Sequence, residues 1–480
     1  MQSNFCARKK HGLFSHLKKP IRLFKPLLAA SLLSGLVLGI NPGYQPIENK
    51  SSNNNELNRY SVAEAAVNRK SMELIVNFGR RSPHPSMSGF LHSLYEAIPA
   101  DRITDLRPVW WRIQPDDQLF LYNKARNYGA NVQVVISDGY GEPRNNWYGH
   151  GAPWENDWQN WENYVRELVN QYKGMPVYWD VWNEPDVKDW NKGQWNGTRT
   201  QFFETYMHAY KVIREELGPD AMIGGPSYAN FEPDDIKAFI RFCSKNNVEI
   251  NFLTWHELGA ADQDIPSVTR HLRQMQRFIS QFPNVNYKFT LINESVGPDT
   301  RYKPGEILGY LYHLQRGKAG GTNKACWSDE NGQSDCYNGT LDGILSTDNY
   351  APRAAWWAYK AYADCTKDFA WAVSRNRNIA VFAGRDTPQI ILGYFGNEKT
   401  MPKTHKAQLL ATRLRAAGIR GNSVEVSYYR IPATGTAPLK EPKKLKTETV
   451  ELTGGYVVLD LPDLILHEGL LIQFNTPSGS

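Results

Sequence analysis

From about residue 70 to residue 365, short β-rich apolar runs alternate with helix-like segments, and this alternation restricts the fold more than any other feature. The runs fall at 73–78 (ELIVNF), 104–111 (TDLRPVWW), 131–137 (NVQVVIS), 177–183 (VYWDVWN), 221–226 (AMIGGP), 251–257 (NFLTWHE), 287–293 (YKFTLIN) and 323–328 (NKACWS). Between them, segments such as 161–173, 200–217, 234–245 and 268–282 carry apolar residues at i, i+3 and i+4, and 351–364 follows the last run in the same way. Repeated strand-then-helix units give parallel strands with helices packed outside. Eight of them predict an α/β fold, a (β/α)8 TIM barrel over residues 70–365, a fold of typically ~250 residues. A doubly wound open sheet is the alternative, but no G-x-G-x-x-G or phosphate loop follows the first run.

After residue 366 the pattern changes. Runs at 369–384, 388–397, 423–432, 446–462 and 464–475 read as strands separated by turn residues. They predict a C-terminal all-β sandwich over 366–480. The stretch 405–418 (HKAQLLATRLRAAG) is ambiguous between helix and strand.

The formal net charge of +6 misleads. Arg8, Lys9, Lys10, Lys18, Lys19, Arg22 and Lys25 lie in the first 26 residues, which hold no acid, so the remainder is close to neutral. No nucleic-acid partner is implied. An apolar stretch at 26–40 follows this basic segment, the layout of a secretory signal, and it is short for a membrane span of about 20 residues. Residues 1–45 are expected to be a signal peptide or an uncleaved N-terminal anchor, which is the only membrane attachment expected. Residues 46–69, including NKSSNNNELN, read as a disordered linker. Either reading places the rest of the chain outside the cytoplasm, secreted, periplasmic or in the cell envelope. There Cys326 and Cys336, flanking a polar loop, could form a disulfide or remain free thiols. No C-x-x-C or Cys/His zinc spacing occurs, so no metal is expected.

In a barrel of this kind, active sites lie at the C-terminal ends of the strands. The fourth run ends in Asn183, Glu184 and Pro185, and the seventh in Asn293 and Glu294. Two carboxylates from opposite parts of the barrel mouth suit hydrolysis of a glycosidic bond, which needs one protonated acid and one ionised nucleophile. The Asn183 amide can bond a sugar hydroxyl beside the reacting carbon. Pro185 helps turn the chain out of the strand. Glu257 also ends a run, but strand alternation points it away from the mouth if His256 faces in.

With WNEP (182–185), FLTWH (252–256), INE (292–294), Trp327 and LSTDNYAPRAAWWAYKAY (345–362), the chain resembles the clan A retaining glycoside hydrolases. Within the clan it is most similar to family 39, which holds β-xylosidases, α-L-iduronidase and bacterial exopolysaccharide endoglycosidases. The resemblance covers about residues 70–478. It implies that Glu184 is the general acid/base, Glu294 the nucleophile and Asn183 the partner of the 2-hydroxyl. It also implies that His256 lines the site and that Trp327 is the stacking floor under the reacting sugar. No cofactor is implied. The chain departs from the family at Leu258, where an aromatic is common, and in INES, where the xylosidases have Thr-Glu-Trp. Both departures bear on xylosidase or iduronidase specificity rather than on the chemistry.

Further candidates for substrate binding are Trp147 and Trp154 in the long segment after the third run, and Trp190 just after Glu184. Indoles offer flat apolar surfaces to sugar rings. Tyr148, Trp158 and Trp195 fall in the same segments. Arg107 and Arg112 flank the PVWW of the second run, and either could bond the nucleophile or a substrate carboxylate. Asp138, after the third run, is another candidate subsite residue. Together these features predict a retaining glycosidase, endo-acting on an extracellular polysaccharide. An exo-β-glycosidase and a non-catalytic polysaccharide-binding protein are the alternatives.

Overall fold

The computed structural model describes residues 72–477 apart from 95–97, 115–117, 138–152, 154–155, 188–194, 196, 260–263 and 330–331. The leader, the apolar stretch and the linker lie outside the described residues, as do Asp138, Trp147, Trp154 and Trp190.

Eight strands form one parallel sheet in chain order: β2 (Gly89–Leu91), β3 (Trp110–Ile113), β4 (Asn131–Val135), β5 (Val177–Asp180), β6 (Met222–Tyr228), β7 (Phe252–Glu257), β8 (Phe289–Ser295) and β9 (Gly321–Lys324). The last strand returns to the first, where Thr322 N–H donates to Met87 O at 3.0 Å. Helices follow the strands on the outside, among them α1 (Ala100–Thr104), α2 (Gln118–Asn127), α3 (Trp158–Gln171), α4 (Arg199–Leu217), α5 (Pro233–Lys245) and α6 (Ser267–Ile279). The longer ones turn an apolar stripe to the sheet. Ile236, Phe239, Ile240 and Cys243 of α5, for example, are buried at helical spacing.

The barrel interior is layered. Its floor is aromatic: Trp110, Tyr178, Phe252 and Phe289 meet with ring centroids 4.7–6.1 Å apart. Room for Phe252 depends on Gly224, because a Cβ there would lie 2.3 Å from the ring. Above the floor the inward side chains become polar and include Asp180, Gln133, Ser227, Thr254 and Asn293, all buried. A polar layer wholly inside a barrel persists only if its groups bond one another, and these do.

The expected first barrel strand is corrected. The run 73–78 lies in β1 (Leu74–Arg81), which belongs to the sandwich, and the barrel begins instead with Gly89–Leu91. Leu74, Val76 and Phe78 are buried while Ile75 and Asn77 are only half so. That one-sided alternation fits a sheet covered on one face, not a barrel strand enclosed on both. β1 pairs antiparallel with β10 (Ala370–Ser374) and parallel with β14 (Gln408–Thr412). The sandwich is therefore assembled from both sides of the barrel. Its further strands are β11 (Ile379–Gly384), β12 (Gln389–Tyr394), β15 (Ser423–Ile431), β16 (Lys443–Glu451), β17 (Tyr456–Asp460) and β19 (Gly469–Asn475), with β13 (Thr404–His405) and β18 (Leu464–Ile465) as a short separate pair. The two main sheets have the orders β10-β1-β14-β17 and β11-β12-β19-β15-β16. The ambiguous 405–418 stretch contains β14 and a short 3-10 turn, Leu414–Ala417.

Barrel and sandwich share a continuous core through α7 (Pro304–Gly317) and α8 (Ala354–Thr366). The Tyr312 hydroxyl accepts from Ser374 N–H at 2.9 Å, and the Tyr362 hydroxyl accepts from Met87 N–H at 2.8 Å.

Candidate active site at the mouth of the barrel

The side chain that organises this end of the barrel is Arg112, at the C-terminal end of β3 and 2% exposed. Its Nη1 donates to Glu294 Oε1 at 2.8 Å. Its Nη2 donates to Asn183 Oδ1 at 2.8 Å and to Asp180 Oδ2 at 2.9 Å. Arg107, the other arginine considered, is exposed and sits three positions below the strand, where its carbonyl is engaged by Ser88 Oγ at 3.4 Å. The strand begins at Trp110, later than its apolar pattern implied, and that shift places Arg112 rather than Arg107 at the site.

Asp180 is the anchor of the network. Oδ2 accepts from Arg112, from Gln133 Nε2 at 3.0 Å and from Asn293 Nδ2 at 2.8 Å, and Oδ1 accepts from Ser227 Oγ. Burial pushes the Asp180 carboxyl up from the usual carboxylate range, while the Arg112 charge and the Ser227 bond oppose it. The sequence carried a signal for this residue. In VYWD, Tyr178 faces the barrel floor, so Asp180, two residues on, must also face in.

Asn183 and Glu184 leave β5 together. The backbone at Glu184 has φ +51°, uncommon for a side-chain-bearing residue. Its N–H is fixed by Ser227 O at 2.9 Å. With Asn183 Oδ1 engaged by Arg112, the amide NH2 is the group left to meet a ligand. Strand β8 uses a different device. Its register against β7 slips between Trp255 and His256, so the consecutive residues Asn293 and Glu294 both reach into the barrel. Asn293 bonds Asp180, and Glu294 bonds Arg112.

His256 bonds one of the two carboxylates and lies within the field of the other. It is fully buried, and its Nδ1 lies 2.9 Å from Glu184 Oε1. Burial alone lowers its basicity, but the Glu294 charge and the Glu184 hydrogen bond and charge outweigh it, leaving the imidazole above its ordinary 6.5. Glu257 points outward, where Trp255 Nε1 donates to it at 2.7 Å and His271 Nδ1 lies 2.9 Å away. Trp327 is half-buried in the segment after β9, its Nε1 donating to Val296 O at 3.0 Å, two residues past Glu294. Of the other aromatics considered, Trp195 is buried against Trp182 and Phe202, and Trp158 stacks on His208 at 4.3 Å. Both pack the helical layer.

Asp186 was not anticipated. It follows Pro185, and its Oδ1 accepts from Ala229 N–H at 2.9 Å. Burial pushes its carboxyl up to about 7, with the neighbouring Glu184 charge adding and the Ala229 bond and His256 opposing. A second acid just after Asn-Glu-Pro was the available signal.

A (β/α)8 barrel with two glutamates at the ends of its fourth and seventh strands is the arrangement that the resemblance to clan A glycosidases implied. Comparison with known proteins is more specific. Residues 140–304, which hold both glutamates and His256, match the model of glycosyl hydrolases family 39. A β-xylosidase of Caldicellulosiruptor saccharolyticus is 33% identical over 103 residues, 20% of this chain and 19% of that protein. The matched segment is thus about a fifth of the relative's length. Among solved structures, N2152 from Neocallimastix frontalis superimposes with a TM-score of 0.64 at 18% identity, covering 84% of this chain and 99% of that one. A family 39 β-xylosidase from Caulobacter crescentus gives 0.56 at 16% identity, with 84% and 99% covered. These two share the fold, barrel and sandwich together. With the motifs, the matches support a family 39, clan A glycoside hydrolase, as the resemblance in the sequence implied.

Proposed function

We propose that this chain is a retaining glycoside hydrolase that cuts within an exported polysaccharide. The observation that supports it most is that Glu184 and Glu294 are held at one end of the barrel, Glu184 by His256 and Glu294 by the Arg112 that also bonds Asn183, the residue before Glu184. A Glu294 oxygen attacks the anomeric carbon while the Glu184 carboxyl passes its proton to the leaving oxygen. The glycosidic C–O bond breaks and a glycosyl ester forms on Glu294. Glu184, now a carboxylate, takes a proton from water as the water oxygen attacks the same carbon and displaces Glu294. Two inversions give net retention. Arg112 holds one Glu294 oxygen, which orients the other toward the sugar.

The Cys326–Cys336 disulfide supports an oxidising compartment. An exo-acting β-xylosidase is the second reading, favoured by the β-xylosidase relatives of Caldicellulosiruptor saccharolyticus and Geobacillus stearothermophilus. Incubation with a panel of polysaccharides, including the producing cell's own matrix, separates the readings by product size. Short oligosaccharides are expected. Release of monosaccharide alone selects the exo reading, and binding without cleavage removes the hydrolase.

Asp186 gives a test by pH. Once ionised, near neutrality, it disfavours ionisation of its neighbour Glu184 and so keeps the acid protonated to higher pH. Asp186→Asn retains an acceptor for Ala229 N–H and removes the charge. The basic limb of the kcat/KM profile is expected to move down by roughly half a pH unit. A limb that stays in place or moves up contradicts this coupling.

A further inference from the structure

The segment after β9 carries two aromatic residues, each immediately following a cysteine of the disulfide: Trp327 after Cys326, and Tyr337 after Cys336. The Cα atoms of the two cysteines are 5.2 Å apart, so the aromatics leave the backbone from adjacent points and then diverge. Trp327 is tied toward Glu294 by its bond to Val296 O. Tyr337 turns to the other side, where its hydroxyl donates to Gln114 Oε1 at 3.2 Å, just past β3. Its ring stacks on His92, just past β2, with centroids 5.3 Å apart and planes 28° from parallel. Tyr337 is 48% exposed, while its support, His92, is 5% exposed.

The loop is held firmly. Ser93 N–H donates to Cys336 O at 3.0 Å, and Ser93 Oγ contacts Asp342 Oδ1 at 3.0 Å. Asp342 Oδ2 accepts from Leu91 N–H at 2.7 Å, and Lys324 Nζ, buried, donates to Ala325 O at 3.1 Å and to Asp342 O. A disulfide and several buried bonds thus fix the base of this loop, where a half-exposed aromatic lies beside the barrel mouth. Rigid aromatics of this kind bind with little loss of conformational freedom.

We infer that Tyr337, supported by His92, is the platform of a second sugar subsite, on the glycone side of the cleavage point. The inference rests on the proposed roles of Glu184 and Glu294. The acid on strand four must face the leaving oxygen, so the leaving group extends toward that side of the barrel. Strands eight, one and two are the opposite arc in the sheet order. A chain continuing from the reacting sugar over Trp327, away from the leaving group, runs toward Tyr337. The occupant is a neutral or weakly charged pyranose ring, whose C–H face meets the tyrosine ring. A glycone-side subsite beyond the reacting sugar also favours cleavage within a chain over removal of terminal residues.

The test uses 4-nitrophenyl β-glycosides of one, two and three sugars, in xylose, glucose and mannose series, because added sugars lengthen only the glycone side. For Tyr337→Ala, the ratio of kcat/KM for the trisaccharide glycoside to that for the monosaccharide glycoside is expected to fall about tenfold. Tyr337→Phe, which keeps the ring, is expected to preserve the ratio. An unchanged ratio in Tyr337→Ala overturns the subsite while leaving the hydrolase reading intact. If wild type cuts none of these glycosides, binding of the free trisaccharides is compared. Weaker binding by Tyr337→Ala then supports the platform although the hydrolase reading fails on these sugars. Equal binding, or none by either protein, overturns the platform.

Discussion

Glu294→Gln is expected to lower turnover by about four orders of magnitude or more on every substrate, whereas the loss in Glu184→Gln should depend on the leaving group. In the proposed mechanism Glu294 forms the glycosyl ester and Glu184 is the acid, so no leaving group compensates for the loss of Glu294. Removing the acid matters when the leaving oxygen needs a proton. With a sugar leaving group Glu184→Gln should cost about 10²–10⁴ in rate. With 4-nitrophenolate, which departs without protonation, the first step should be nearly as fast as in wild type. The second step lacks its base, so a burst of nitrophenol followed by slow turnover is expected. Both replacements are nearly isosteric. The amide oxygen introduced by Glu294→Gln can still accept from the Arg112 Nη1 that bonds Glu294 Oε1, and a side-chain amide can still reach His256 from position 184. Circular dichroism and thermal midpoints close to wild type would therefore attribute the losses to chemistry. A Glu294→Gln enzyme retaining a tenth of wild-type activity removes that residue from the nucleophile role.

Arg112→Met should produce the largest loss of stability of any single change at the site, about 3–5 kcal/mol. The Asp180 side chain is 0% exposed and that of Arg112 3%, so the substitution leaves a carboxylate in the barrel interior without its counter-charge. Gln133, Asn293 and Ser227 still donate to it, but none carries charge. Urea unfolding of Arg112→Met, Asp180→Asn and the double variant checks this. The double variant should recover part of the loss, because the buried charge is gone with its partner. Arg112→Lys should not rescue. A single ammonium cannot serve Asp180, Asn183 and Glu294 in the directions the guanidinium fork reaches. A cost below about 1 kcal/mol in Arg112→Met contradicts an ionised Asp180 at this position.

Seven of the eight barrel strands were legible in the sequence because each is a β-rich run set between helices with clear stripes. The first was not. Gly89–Leu91 has three residues, too few to show a period, and it follows a Pro- and Ser-rich stretch. Nearby, Leu74–Arg81 displays a stronger strand pattern, and nothing local says that its partners come from beyond residue 369. At 408–412 the ambiguity has a physical cause. β14 lies between β1 and β17 and buries Leu409, Leu410, Ala411 and Thr412 in succession, a continuous run that a buried helix also produces. At the site, the ends of strands four and seven could be placed from motif and position. The choice between Arg107 and Arg112 required the strand start to within about two residues, finer than apolar patterning resolves. The β-bulge that lets Asn293 and Glu294 act together leaves no trace in composition.

The placement of β1 has a consequence for the order in which the molecule can be completed on the ribosome. This strand is synthesised before the barrel, yet the neighbours that cover Leu74, Val76 and Phe78 emerge only after it. While the barrel closes, an apolar segment must wait unpaired, and such waiting edges invite association with other chains. The barrel is in effect an insertion into the sandwich, which its first and last parts close around it. A truncation that removed β14 from the far end would also unseat a strand near the start, so premature stop codons in the sandwich should damage the whole protein rather than its last domain alone.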